Sequence, residues 1–189
     1  LTVWTEDGAV EAMLSGRLRG AREQQERPAV GDWVVVERHA AAGATVRSTL
    51  PRRTVLLRKS AGEVDRPQVV IANVDVVAVV TSPTAEFSAR RVERYLAAIA
   101  HGGARAVVVL GKADLTDDRG RWIASLSEAA GAAPIVLVSA RTGEGVGALG
   151  DVAMPGQTMA LVGSSGVGKS SLINALTAGA SGLAVGAVR

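Results

Sequence analysis

The stretch Met159-Ala160-Leu161-Val162-Gly163-Ser164-Ser165-Gly166-Val167-Gly168-Lys169-Ser170-Ser171-Leu172 decides the fold. The apolar start predicts a buried strand, the glycines a tight loop, and the residues from Lys169 onward a helix. The loop fits G-x-x-x-x-G-K-[ST] and sits where that pattern has a mechanism, between a strand and a helix. Glycines let the backbone curl so that successive N–H groups face phosphate oxygens, and the helix N-terminus adds partial positive charge. Lys169 supplies a point charge for β- and γ-phosphates, and the Ser170 hydroxyl suits a Mg²⁺ ion. Gly163, Ser164, Ser165, Gly166, Val167, Gly168, Lys169, Ser170 and Ser171 are therefore candidate nucleotide-binding residues. Lys169 and Ser170 are the candidate catalytic residues, and Ser170 is the candidate metal ligand.

Upstream of this stretch, strands and helices alternate. Residues 74–80 form an apolar run, interrupted by Asp75, of the kind a parallel strand buried on both faces needs. Ser88 predicts a helix cap, with Val92, Tyr95, Leu96 and Ile99 on one face and an end at Gly102-Gly103. Further strands are expected at 104–110 and 134–138, a helix across about 118–130 and a short helix near 146–152. This alternation predicts a doubly wound α/β sheet.

Base choice is read at the ends of two of these strands. Gly111-Lys112-Ala113-Asp114 is similar to the N-K-x-D motif of guanine-binding proteins, and Ser139-Ala140 to their S-A-x motif. Guanine presents a ring N–H and an exocyclic amine, which the single carboxylate of Asp114 can accept together; adenine offers no such pair. The Lys112 stem is expected along the base plane and a backbone N–H near Ala140 on the guanine carbonyl. Gly111, Lys112, Asp114, Ser139 and Ala140 thus join the candidate GTP/GDP-binding residues. Both base loops precede the phosphate loop, the reverse of their order in ordinary small GTPases. Circular permutation gives that order, with the old termini joined through residues 154–158. A P-loop ATPase is the reading that Gly111, in place of Asn, leaves open.

Residues 1–60 look different. Short β-prone runs at 10–14, 33–37, 45–50 and 54–57, separated by turns, predict a small barrel. Trp33 is expected in its core. Eighteen of the 21 basic residues are arginine, and the net charge is +3. That balance permits a nucleic-acid partner without requiring one. The absence of cysteine excludes disulfides and Cys-ligated metal. His101 is expected to complement a helix C-terminus, His39 has no metal-ligand spacing, and Asp75 reads equally as a strand-end residue or a nucleotide contact. Apolar runs are too short to span a bilayer, so a cytoplasmic monomer without a membrane partner is expected.

The barrel carrying Val30-Gly31-Asp32-Trp33-Val34, then Ala72-Asn73-Val74-Asp75, then the permuted motifs ending in Gly-Val-Gly-Lys-Ser-Ser-Leu-Ile-Asn, resembles the RsgA (YjeQ) GTPases. The resemblance implies an α/β fold class with a small OB-type β-barrel ahead of a circularly permuted Ras-like P-loop GTPase domain. The implied layout is a barrel over 1–60, a linker over 61–72 and the GTPase domain over 73–189. It also implies late maturation of the small ribosomal subunit, stimulation by that subunit, contact with its rRNA and release of other assembly factors. A GDP/GTP-gated RNA-binding module with little hydrolysis is the alternative. The family's switch I threonine, D-x-x-G and zinc module, which follow its phosphate loop, are not found between Gly163 and Arg189. The glycine-rich stretch 178–189 is where switch I would begin, and the chain is expected to be part of a longer one. In that expectation strand 159–162 lacks the neighbour that would cover its edge.

Overall fold

The computed structural model describes residues 1–21, 26–39, 43–59, 67–85 and 87–177. The expected start of switch I, at 178–189, lies outside them. The chain divides into two compact units, Leu1–Asn73 and Val74–Arg189.

The second unit is built on apolar runs that bury both faces. Strands β7 (Val76–Thr81), β8 (Arg105–Leu110), β9 (Ile135–Leu137) and β10 (Met159–Gly163) form a parallel sheet in the order β10-β7-β8-β9; the first six strands belong to the other unit. Every residue of β7 is buried, because the strand has a neighbour on each side and helices over the sheet. Helix α2 (Ala89–Gly102) opens as its sequence predicts: the Ser88 side chain accepts from Arg91 N, and Gly103 closes the helix in the left-handed region. His101 lies in its last turn, where a cation suits the helix dipole. Helix α3 (Arg119–Ala130) is capped by Asp118, and α4 (Val146–Gly150) and α5 (Lys169–Thr177) follow among the described residues; α1 (Gly16–Arg19) belongs to the first unit. Val76, Ala78, Val80, Val107, Val109 and Leu172 meet in one core. Asp75 acts at the strand end: its carboxylate accepts from Thr158 N at 2.8 Å, pinning the turn before β10. Among the described residues β10 lies at the edge of this sheet, paired with β7.

Among its described residues the first unit has β-strands and short helical turns. Strands β1 (Thr2–Thr5), β2 (Gly8–Leu14), β3 (Val34–Arg38) and β4 (Ala44–Thr49) form a sheet in the order β1-β2-β4-β3, with α1 (Gly16–Arg19) following β2. Strands β5 (Val55–Lys59) and β6 (Pro67–Ala72) form a separate antiparallel ladder. Residues 67–72, expected within a linker, are therefore a strand. Pro67 occupies its first position, where the missing N–H costs the ladder least.

Trp33 is also placed differently from expectation. It is 68% exposed, whereas Val34 is half-buried beside it. Side chains alternate along a strand, and Val34 and Val36 take the inward positions against Ala12, Ala44 and Val46. The Gly-Asp-Trp segment instead does its work through the first two residues. Gly31 lies at φ +88°, and a side chain there would put its first carbon 2.1 Å from the Ala72 carbonyl oxygen. Asp32 receives two hydrogen bonds from Arg52, each at 2.7 Å, and Asn73 donates to the Gly31 carbonyl.

Candidate functional site

Three loops at the C-terminal ends of parallel strands make the site, the usual ligand position in an open α/β sheet. The loop after β10 is anchored from below by Val167, buried in the core beside Val80 and Leu172. Gly163 is at φ +148°, and a side-chain carbon there would lie 2.3 Å from the Val80 carbonyl oxygen. Only glycine lets the chain leave β10 so close to β7. The α5 ladder starts at once, with Leu172 N donating to Gly168 O at 3.0 Å. Ser165, Ser170 and Ser171 are exposed on this loop and the first turn of α5.

Lys169 folds back over its own loop. Its Nζ donates to the carbonyls of Gly163 at 3.0 Å and Ser164 at 2.7 Å. Partial burial lowers its pKa from the ordinary lysine value, since desolvation disfavours the charged form. The ammonium is thus held at the mouth of the loop, where a phosphate would meet it.

The loop after β8 turns sharply, with Gly111 N donating to Thr81 O at 2.8 Å and Lys112 in the left-handed region at φ 53°. Lys112 Nζ reaches across to Gly166 O at 2.8 Å, joining this loop to the one after β10. Asp114 follows in a 3-10 turn, Ala113–Leu115. Its Oδ1 accepts from Ser139 Oγ at 2.6 Å and its Oδ2 from Arg141 Nε at 2.8 Å. The hydrogen bond from Ser139, then that from Arg141, holds its carboxyl below the usual carboxylate range. Ser139 is buried at the end of β9 and its loop closes through Ser139 N to Glu144 O at 2.9 Å. Arg119, the first residue of α3, clamps Glu144 through both carboxylate oxygens. Ala140 lies half-buried between these groups.

The sequence candidates therefore converge in one place. Two arginines that sequence reasoning did not single out also reach it. Arg91, from α2, donates from Nη1 to Ser164 Oγ. Arg141 carried a faint signal as the third residue of the Ser-Ala-x motif; Arg91 carried none, being one arginine among many on a helix. Among the described residues, no cluster of three or more His, Cys, Asp or Glu side chains could hold a metal ion. No helix among them is long and apolar enough to cross a membrane.

A sequence profile of the family described as "RsgA GTPase" matches residues 49–189. The chain belongs to the RsgA GTPase family. It is 44% identical over 167 residues to the "Small ribosomal subunit biogenesis GTPase RsgA" of Methanosarcina acetivorans, covering 88% of this chain and 44% of that protein. With the protein of the same description from Opitutus terrae it shares 42% identity, over 89% of this chain and 49% of the relative. The chain thus spans about half the length of the curated RsgA relatives it matches. Among solved structures it is similar to YjeQ from Thermotoga maritima, with a TM-score of 0.69 and 31% identity over 94% of this chain and 61% of that one. The structure of YloQ, described as a circularly permuted GTPase, matches its fold with a TM-score of 0.63 at 23% identity, over 95% of this chain and 61% of that one. Both solved structures share the fold of this chain.

Proposed function

We propose that the chain binds GTP and GDP and hydrolyses GTP during maturation of the small ribosomal subunit. The observation that carries this reading is the bond from Lys112 to Gly166, which joins a base-reading loop to a phosphate loop at one end of the sheet. In this reading the amides of residues 164–169 hold the phosphates, and Lys169 exchanges its own loop carbonyls for β- and γ-oxygens. Asp114, kept ionised by Ser139 and Arg141, accepts the two guanine donors, and a backbone N–H near Ala140 meets the guanine carbonyl. The exposed Ser170 hydroxyl is a hard oxygen donor at the first turn of α5, which fits Mg²⁺. When bound, that ion supplies charge neutralisation of the phosphates. Lys169 and the loop amides then stabilise charge on the transferring phosphoryl group as water attacks in line.

The relatives' description supports assigning the small subunit as partner, and the proposal adds that the subunit activates hydrolysis. The arginine-rich first unit, read as OB-type, then contacts rRNA through phosphates, and the protein acts as a cytoplasmic monomer. Single-turnover GTP hydrolysis, measured with and without small subunits, tests the whole reading. Hydrolysis that rises on adding subunits is expected. A protein that binds GDP yet never hydrolyses GTP under either condition would instead be a nucleotide-gated RNA-binding module. Asp114→Asn tests the base site: GDP affinity should fall and xanthosine diphosphate should gain, because an amide can donate to the xanthine carbonyl.

A further inference from the structure

Asp114 can read guanine only if both its oxygens are presented at once, one to the ring N–H and one to the exocyclic amine. A carboxylate on a short stem rotates, so something must fix it. Ser139 holds Oδ1 from a buried position, which leaves rotation about that one bond. The second oxygen is held by Arg141, whose side chain is 72% exposed while that of Asp114 is 10% exposed. A long, solvent-facing cation committed to one carboxylate oxygen, from the edge of the site, is a second pivot. Gly111 contributes no side chain to help, and Lys112 is engaged on the phosphate loop. Each carboxylate oxygen carries two lone pairs, so neither hydrogen bond prevents a base from using the other pair.

We propose that Arg141 is a specificity-determining positioning residue, which fixes Oδ2 of Asp114 so that the carboxylate meets both guanine donors together. The inference rests on the guanine-binding reading given above. It separates two properties that a general loss of the loop would move together. Hypoxanthine has the ring N–H without the amine, and a loosened carboxylate can still follow that single donor. It cannot satisfy two donors at fixed spacing. Removing Arg141 should therefore harm guanine more than hypoxanthine.

The test is equilibrium titration of the full chain with GDP and inosine diphosphate, for Arg141→Ala, Arg141→Lys and Asp114→Asn. Loss of one charge-assisted hydrogen bond should weaken GDP about tenfold in Arg141→Ala. Inosine diphosphate should weaken by less, so that the preference for GDP narrows severalfold. Arg141→Lys, which keeps the charge without the planar Nε donor, should recover part of the affinity and little of the preference. Unchanged GDP affinity and preference in Arg141→Ala would overturn the proposal, as would tighter GDP binding, which would mean that the guanidinium competes with the base. If Asp114→Asn weakens GDP while Arg141→Ala does not, the positioning role alone fails. If neither variant changes GDP binding, the base site itself is elsewhere.

Discussion

In the α/β unit Val76, Val77, Ala78, Val79 and Val80 are each no more than 3% exposed, and strands flank them on both sides. In the β unit a similar run behaves otherwise: Val34 and Val36 turn inward while Trp33 and Val35 face solvent at 68% and 47% exposure. The sheet of the first is covered on both faces, and that of the second on one. In the central strand of the covered sheet residue type alone predicts burial, whereas β9 and β10 at its edges are half-buried throughout. Where one face is covered, position along the strand decides, and even a tryptophan can be left outside. The covered sheet also fixes the loops at its strand ends, which is what a site made from three separate loops requires.

Predictions can strain this contrast from its strong end to its weak one. We predict that Lys169→Ala lowers single-turnover GTP hydrolysis by roughly 10²–10³-fold, as for loss of one preorganised charge donor. Circular dichroism should show the fold intact and RNA binding should not change, confining the chemistry to the α/β unit. Near-normal turnover in a folded variant would move the phosphate site elsewhere. Next in size is Leu126→Ala, which empties a fully buried position in α3 and should cost about 3 kcal/mol in denaturant unfolding. A cost below about 1 kcal/mol would mean that the covered face is less tightly packed than its burial implies.

Acid probes the site between these extremes. The carboxyl of Asp114 is held low, so its bonds to Ser139 and Arg141 contribute fully above the ordinary carboxylate range. They are lost as pH falls through the lowered value. Followed by calorimetry, the ratio of GDP to inosine diphosphate affinity, in which the titration of the shared diphosphate cancels, should stay level from neutrality down to about pH 5 and decline only in stronger acid. A decline centred near neutrality would show that another group governs base binding. The smallest effect belongs to Trp33→Ala, expected within about 0.5 kcal/mol of the parent in thermal unfolding. A loss of several kcal/mol would show that the exposed face is covered in solution.

The α/β half was legible because its signals are local. Ser88 and Gly103 close α2 at the positions that their side chains or lack of them predict, and β8 and β10 fall within one residue of the expected strands. The β half was less so. Among the described residues strand β1 pairs only with β2 and offers four residues of pattern, and β6 begins at a proline whose neighbours read as a linker. Trp33 was assigned by residue type, although the two-residue period already puts it on the face opposite Val34. For the site, the motifs locate the three loops, but Arg141 needed three dimensions. Its partner is 27 positions away, and nothing in the order of residues announces that pairing.

The sheet order also sets a sequence of events in time. Strands β7 and β8 pair across about 30 residues of chain, whereas β7 and β10 must close about 80, which is entropically dearer and slower. The first ladder can therefore nucleate the unit by itself, with β10 docking onto a surface already made. On the proposed reading, the phosphate loop hangs from β10 and its lysine tether comes from the end of β8, so nucleotide capture would be the last competence a refolding chain acquires. A stopped-flow trace should see tertiary burial complete before labelled GDP begins to bind.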